Sequence, residues 1–194
     1  MKKRQLGPCV TFFPQPTTLI SSVGSDGQVN IMTASWVGVV SKTPPTMGIS
    51  LNRKRRTYEQ IQQTRCFAVN LMPASLATAA DYCGLRSGRD EDKLVMTNLS
   101  TAPGHKIAAP LLVESTLNIE CVLKDEVALG EYRLLLGEIV EIHAIDQAFA
   151  ESGAMDARSF DPLVYLGGIR EYWNLGEKQA DAYHIGRNLF TKLD

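Results

Sequence analysis

The 194-residue chain has no CxxC pair: Cys9, Cys66, Cys83 and Cys121 stand far apart. That spacing supplies neither a paired metal site nor a disulfide framework. Cys66, Cys83 and Cys121 sit in or beside apolar runs and read as reduced core thiols, so the expected compartment is the cytoplasm. His105, His143 and His184 are scattered with no HExxH, which argues against a zinc site. There is no GxGxxG and no P-loop, hence no Rossmann or Walker nucleotide site, and no GxSxG elbow. No apolar run approaches the roughly 20 residues that span a bilayer. The basic start Met1-Lys2-Lys3-Arg4 runs into Pro8, Cys9 and Thr11 rather than a signal-peptide core. An excess of charge of one sign is missing as well: the net charge is −1, so the chain as a whole is no polyanion binder. Internal repeats and low-complexity segments are absent.

The length fits one domain or two small ones. We read residues 1–194 as one domain, with an N-terminal arm over 1–16 and a polar C-terminal tail over 177–194. Thr17 to Val23 and Gln28 to Val40 predict a hairpin around Gly24-Ser25-Asp26-Gly27. Gly38 suggests a bulge or a close approach to the backbone, and Pro44-Pro45 stops the strand. Cys66–Leu71, Leu111–Lys124 and Tyr132–Ile145 predict further strands, the last with a bulge at Gly137 and the last two separated by a turn over Asp125–Glu131. A helix is expected near Thr57–Arg65, burying Ile61 and exposing Gln60, Gln62 and Gln63. A second runs from Pro73-Ala74-Ser75 through Tyr82 with Gly84 as its stop. Many strands with two short inserted helices predict a mainly β protein: an antiparallel barrel with helical insertions.

The most informative stretch runs from Asn30 to Asn70. A hydroxyl-rich strand, Asn30-Ile31-Met32-Thr33-Ala34-Ser35-Trp36, precedes an extended run that ends in Arg53-Lys54-Arg55-Arg56 at a helix start. Thr57, with Gln60 three places on, fits a capping box with Thr57 as N-cap. A helix N-terminus offers unpaired N–H groups and partial positive charge, which suits a phosphate. Arg53, Arg55 or Arg56 adds bidentate donors. Ser50, Thr57, Thr33 and Ser35 offer hydroxyls, and Trp36 a flat apolar face. The same residues also read blandly, as a solvated helix start or a nucleic-acid patch, an outward-facing polar strand and a core tryptophan. Near-zero net charge and the lack of interleaved exposed aromatics count against a nucleic-acid-binding barrel.

Together with Phe67-Ala68-Val69-Asn70, Cys83-Gly84, Ser87-Gly88-Arg89-Asp90-Glu91-Asp92-Lys93 and Pro162-Leu163-Val164-Tyr165-Leu166-Gly167-Gly168, this stretch resembles the flavin reductase-like proteins, most closely their flavoredoxin branch. The resemblance implies a Greek-key antiparallel split β-barrel of the FMN-binding type, FMN as cofactor, and a homodimer. It implies cofactor contacts from Asn30, Thr33, Ala34, Ser35, Trp36, Ser50, Arg53, Arg56, Thr57, Lys93 and Tyr165. Electron transfer follows as the function, with NAD(P)H or a redox protein as donor, either as a flavin-dependent oxidoreductase or as a non-catalytic carrier. No nucleic acid and no membrane is expected among the partners. One departure stands out. Several members of the family carry a histidine five residues before the bulge glycine; here Tyr132 holds that place before Gly137. A tyrosine donates one hydrogen bond but does not titrate near neutral pH.

Overall fold

The computed structural model describes residues 1–10 and 14–187, so parts of the expected arm (11–13) and tail (188–194) lie outside the described residues. The main sheet holds β2 (Thr18–Val23), β3 (Val29–Ala34), β4 (Val37–Lys42), β5 (Pro45–Asn52), β6 (Cys66–Leu71), β9 (Leu117–Leu129) and β10 (Tyr132–Ala144). Its order is β3-β2-β6-β9-β10-β5-β4, with every neighbour antiparallel. The sheet curls until β3 returns against β5. A short strand, β1 (Gln15–Pro16), pairs with β11 (Val164–Leu166), which pairs with β12 (Glu171–Trp173). β7 (Thr101–Ala102) and β8 (Leu111–Leu112) form a two-residue ladder. The helices are α1 (Arg56–Thr64), α2 (Ala77–Leu85), α3 (Lys93–Thr97) and α4 (Ala157–Phe160).

Side chains alternate across a strand, and here both faces are covered. Ile20, Met32, Ile49, Phe67, Cys121 and Leu135 fill the inside of the curl, together with Ile61 of α1. Their neighbours Leu19 and Ile31 point outward into a second core with Met72, Ala80, Cys83, Leu112 and Leu163, beneath α2. No helix among the described residues is long and apolar enough to cross a membrane.

Four expectations change. The predicted strand Gln28–Val40 is two strands, because the chain at Ser35-Trp36 stops pairing with β2 and starts pairing with β5. Gly38 makes no bulge. It pairs regularly with Gly48, and the register slips between Val39 and Ser41. The predicted strand Leu111–Lys124 breaks at 113–116, where the Ser115 hydroxyl bonds the Leu71 and Leu117 carbonyls, whereas β9 runs on to Leu129 and leaves only a tight turn at Gly130 (φ 61°). α2 continues through Gly84 to Leu85. That glycine does not end the helix, and a Cβ there would make only ordinary contact with Thr33, at 3.4 Å. The expected shift at Gly137 is present, between Leu136 and Gly137.

Candidate anion-binding cleft

The centre of the site is the first turn of α1. Its N-cap is Arg55, not Thr57, and no side chain caps it. Thr57 misses the capping-box role because a distant partner claims it: Asn30 Nδ2 donates to Thr57 Oγ1 at 2.7 Å. Gln60, expected on the surface, is buried. It accepts from the Ser22 hydroxyl (2.7 Å) and donates to the Gln28 carbonyl (2.8 Å). Arg56 and Thr57 are the first two residues of the helix, and their N–H groups have no intrahelical acceptor.

Above this turn lies a cleft of about 310 Å3 between α1, the β5 end, the loop after α2 and the β9–β10 turn. Six cations line it: Lys54, Arg55, Arg56, Arg86, Arg89 and Lys93. No carboxylate does; Asn30, Met32, Asn52, Thr57, Ser87, Gly88 and Tyr132 complete the wall. Some of that charge is balanced outside the cleft. Lys54 pairs with Glu131 (2.8 Å), Arg89 with Glu59 (2.5 Å) and Arg86 with Glu91 (3.4 Å). Arg55, Arg56 and Lys93 have no carboxylate within ion-pair distance among the described residues. A second hollow of about 450 Å3 adjoins and shares Asn30, Arg56, Gly88, Arg89 and Lys93. Between the two, Arg56 Nη1 donates to the Gly88 carbonyl (2.6 Å) and Arg89 Nη1 to the Lys54 carbonyl (3.0 Å), tying the 87–92 loop over the helix start.

Lys93 opens α3 yet is only 5 % exposed. Its ammonium donates to the Cys83 and Arg86 carbonyls at 3.0 and 3.2 Å, the frayed end of α2. Burial lowers its pKa and the neighbouring Arg55 adds to that, against the opposing pull of Cys83 and Glu91. An anion in the cleft would restore the balance. On the rim, Tyr132 meets Trp36 with ring centroids 5.3 Å apart, both residues 39 % exposed.

Of the residues named from the sequence, Asn30, Arg56, Thr57 and Lys93 line the cleft, and Trp36 reaches its edge through Tyr132. Ala34 and Ser35 lie at the β3–β4 crossing, where the Ser50 N–H donates to the Trp36 carbonyl at 2.9 Å. Thr33 turns away, its hydroxyl bonded to the Ala80 carbonyl under α2. Arg53 is exposed beside the β9–β10 turn, its N–H bonded to the Glu131 carbonyl. Tyr165 belongs to the three-stranded sheet and packs on Tyr172 at 5.5 Å, away from the cleft walls. Sequence reading missed Asn52, Arg86, Arg89 and Gly88 as walls. The last two stand inside the Ser87–Lys93 motif, and that motif was their only signal. No group of three or more metal-ligating side chains gathers among the described residues.

Comparison with known proteins places these features in a lineage. A family model described as flavin reductase like domain matches residues 10–173. The flavoredoxin of Desulfovibrio vulgaris (Miyazaki F) is 29% identical, with a TM-score of 0.91 over 95% of this chain and 100% of that one. Flavoredoxin from Methanosarcina acetivorans is also 29% identical, with a TM-score of 0.90 over 97% and 100%. An uncharacterized protein of Aeropyrum pernix is 30% identical over 74% of this chain, which spans 54% of that relative's length. The curled seven-stranded sheet is thus a split barrel of the flavin reductase-like kind.

Proposed function

Because the chain belongs to the flavin reductase-like domain family, we propose that it holds FMN in the cationic cleft and passes electrons through it. The observation that carries this reading is a cleft with six cations, no carboxylate and the uncapped N-terminus of α1 in its floor. Phosphate is the ligand such a floor suits, since free N–H groups and the helix field both favour a compact dianion. Arg56 and the Arg56 and Thr57 N–H groups would hold the phosphate. Asn30 Oδ1, which fills the space over Gly88 and has no hydrogen-bond partner among the described residues, adds polarity beside that floor. Tyr132 and Trp36 offer the flat apolar rim that a ring system needs. When bound, FMN supplies the redox chemistry, and the protein supplies its position and electrostatics. A nucleic-acid strand fits less well, because these cations converge into one hollow instead of forming a stripe.

The test is the absorption spectrum of the purified protein, followed by chromatography of what denaturation releases. The expected result is a flavin spectrum and FMN. Arg56→Ala should weaken FMN by about tenfold to a hundredfold, the equivalent of one charge-assisted hydrogen bond, while riboflavin, which lacks the phosphate, hardly changes. A colourless protein that takes up no FMN on titration overturns the proposal.

A further inference from the structure

The second core covers the outer side of the sheet over β2 and β3, beneath α2. Over β4, β5, β9 and β10 the same side carries exposed apolar side chains. Residues directly opposed in an antiparallel pair share a face, so the register traces this surface. Tyr132 stands opposite Leu129 and Asn52, Leu134 opposite Val127 and Ser50, and Leu136 opposite Gly48. Val40 leans over Gly48 toward Leu134: a Cβ on that glycine would lie 2.9 Å from Val40 Cγ1 and 3.3 Å from Leu134 Cδ1. Trp36 extends the row through its contact with Tyr132. Val40, Val127 and Leu129 are 53 %, 43 % and 55 % exposed, so the surface is contiguous and apolar rather than a scatter of single side chains. Tyr132 belongs both to it and to the cleft wall, so whatever covers the face reaches the mouth of the cleft.

The charges around the face are unequal. Glu131 is paired with Lys54 and Glu138 with Lys124, both at 2.8 Å. Arg53 and Arg55 at the cleft end, and Lys42 at the far end of β4, are exposed and have no carboxylate within ion-pair distance among the described residues. Against these three cations stands Asp125, also exposed, whose carboxylate accepts the Glu126 N–H at 2.8 Å. An isologous pairing of two copies would set this cation excess against itself. A partner with an acidic surface meets it. An apolar centre inside a charged rim is the anatomy of a protein–protein interface. We propose that this sheet face docks an acidic electron-transfer protein and brings its redox group to the Trp36–Tyr132 rim. The proposal rests on the flavin reading for what the partner delivers, and on the face alone for the docking. With a one-electron carrier, each encounter passes one electron from the partner's reduced group, and two such electrons with one proton from solvent reduce one FMN.

The experiment is titration calorimetry of the FMN-loaded protein with a plant-type [2Fe–2S] ferredoxin, whose surface is acidic, and with basic cytochrome c. Ferredoxin should bind and weaken as ionic strength rises, because the charges that steer it are exposed, and cytochrome c should not bind. Leu129→Asp puts a like charge in the apolar centre and should weaken ferredoxin about tenfold or more, with FMN affinity and melting temperature unchanged. Arg53→Glu should weaken ferredoxin at low ionic strength and less at high. In stopped flow with reduced ferredoxin, the rate of flavin bleaching should fall in Leu129→Asp in step with the lost affinity. No ferredoxin binding, equal binding of cytochrome c, or unchanged binding by Leu129→Asp overturns the proposal. So does a wild-type dimer that Leu129→Asp splits into monomers on sedimentation, which would put a second copy on this face. A protein that takes up no FMN yet binds ferredoxin in a Leu129-dependent way overturns the flavin reading and keeps the docking face.

Discussion

Glu120 has no exposed surface, and the chain surrounds its carboxylate with donors. The His105, Lys106 and Ile107 N–H groups reach it at 2.9, 2.7 and 3.1 Å, and His143 Nε2 lies 2.6 Å from Oε1. Burial pushes the carboxyl upward, but the Lys106 and His105 N–H groups and His143 outweigh it, so the net direction is down. The sign of the pH dependence follows. A carboxylate whose folded pKa is depressed contributes stability above its unfolded pKa, near 4.3, and loses it as pH falls through the lower folded value. Glu120→Gln keeps one acceptor but turns an amide N–H₂ toward backbone donors. It should cost about 2 kcal/mol or more at neutral pH. Denaturant unfolding of both proteins from pH 7 to pH 3 checks this: the gap should narrow as the wild-type carboxylate protonates. A gap that stays constant across that range would show that the charge contributes nothing. The same residue scale explains a misread signal. Beside Asp90, Glu91 and Asp92, Lys93 reads as a solvated charge, yet the end of α2 buries it, and nothing in its near neighbours reports that.

At the scale of elements, β9 and β10 form the longest hairpin, and its register shifts twice, between Leu136 and Gly137 and between Ile139 and Glu141. A Cβ at Gly137 would stand 2.5 Å from Phe67 Cζ and 2.9 Å from Cys121 Cβ, so the ring of Phe67 occupies the space. Gly137→Ala should therefore destabilise the protein by about 1–3 kcal/mol through overpacking. Phe67→Leu in the same chain should recover part of that loss, because the two positions share one space and their effects do not add. Equilibrium unfolding of the two single variants and the double variant settles it; strict additivity would place the strain elsewhere. Gly137 was legible as a bulge because a glycine inside a long alternating run has few other uses. Most strands were legible for a related reason, since period-2 patterning is local. The break at Ser35-Trp36 was not legible, because the pattern continues across it and only the pairing partner changes. The α1 cap failed likewise: Thr57 and Gln60 satisfy the local spacing, but Asn30, Ser22 and Gln28 claim both side chains from another strand. The cation cluster at the α1 start was legible in the sequence, whereas the cleft walls Arg86 and Arg89 arrive from a loop whose path no local signal fixes.

For the whole molecule, the topology bears on which donor the cleft can serve. Every pair in the seven-stranded sheet is antiparallel, so the sheet has no parallel switch point of the kind that cradles a dinucleotide. A nicotinamide donor would have to lie on the flavin at the Trp36–Tyr132 rim with few dedicated contacts. Hydride transfer requires the reacting atoms about 3–3.5 Å apart and aligned, and a loosely held donor spends little time in that geometry. Tyr132, which stands on this rim, brings a phenol where several family members bring an imidazole. A protein donor asks less of the site, since it docks across the exposed rim and its own fold orients the redox group. We therefore expect the bound flavin to be reducible, but slowly by NADH or NADPH alone. Anaerobic stopped flow, following the flavin absorbance after mixing with each nicotinamide, measures this. Bleaching well below ordinary enzyme turnover, which is on the order of ten per second, is the expected outcome. Bleaching at or above that rate would make the protein a nicotinamide-dependent flavin reductase, and Tyr132→His should then change the rate only modestly, because alignment rather than proton supply would be the limiting demand.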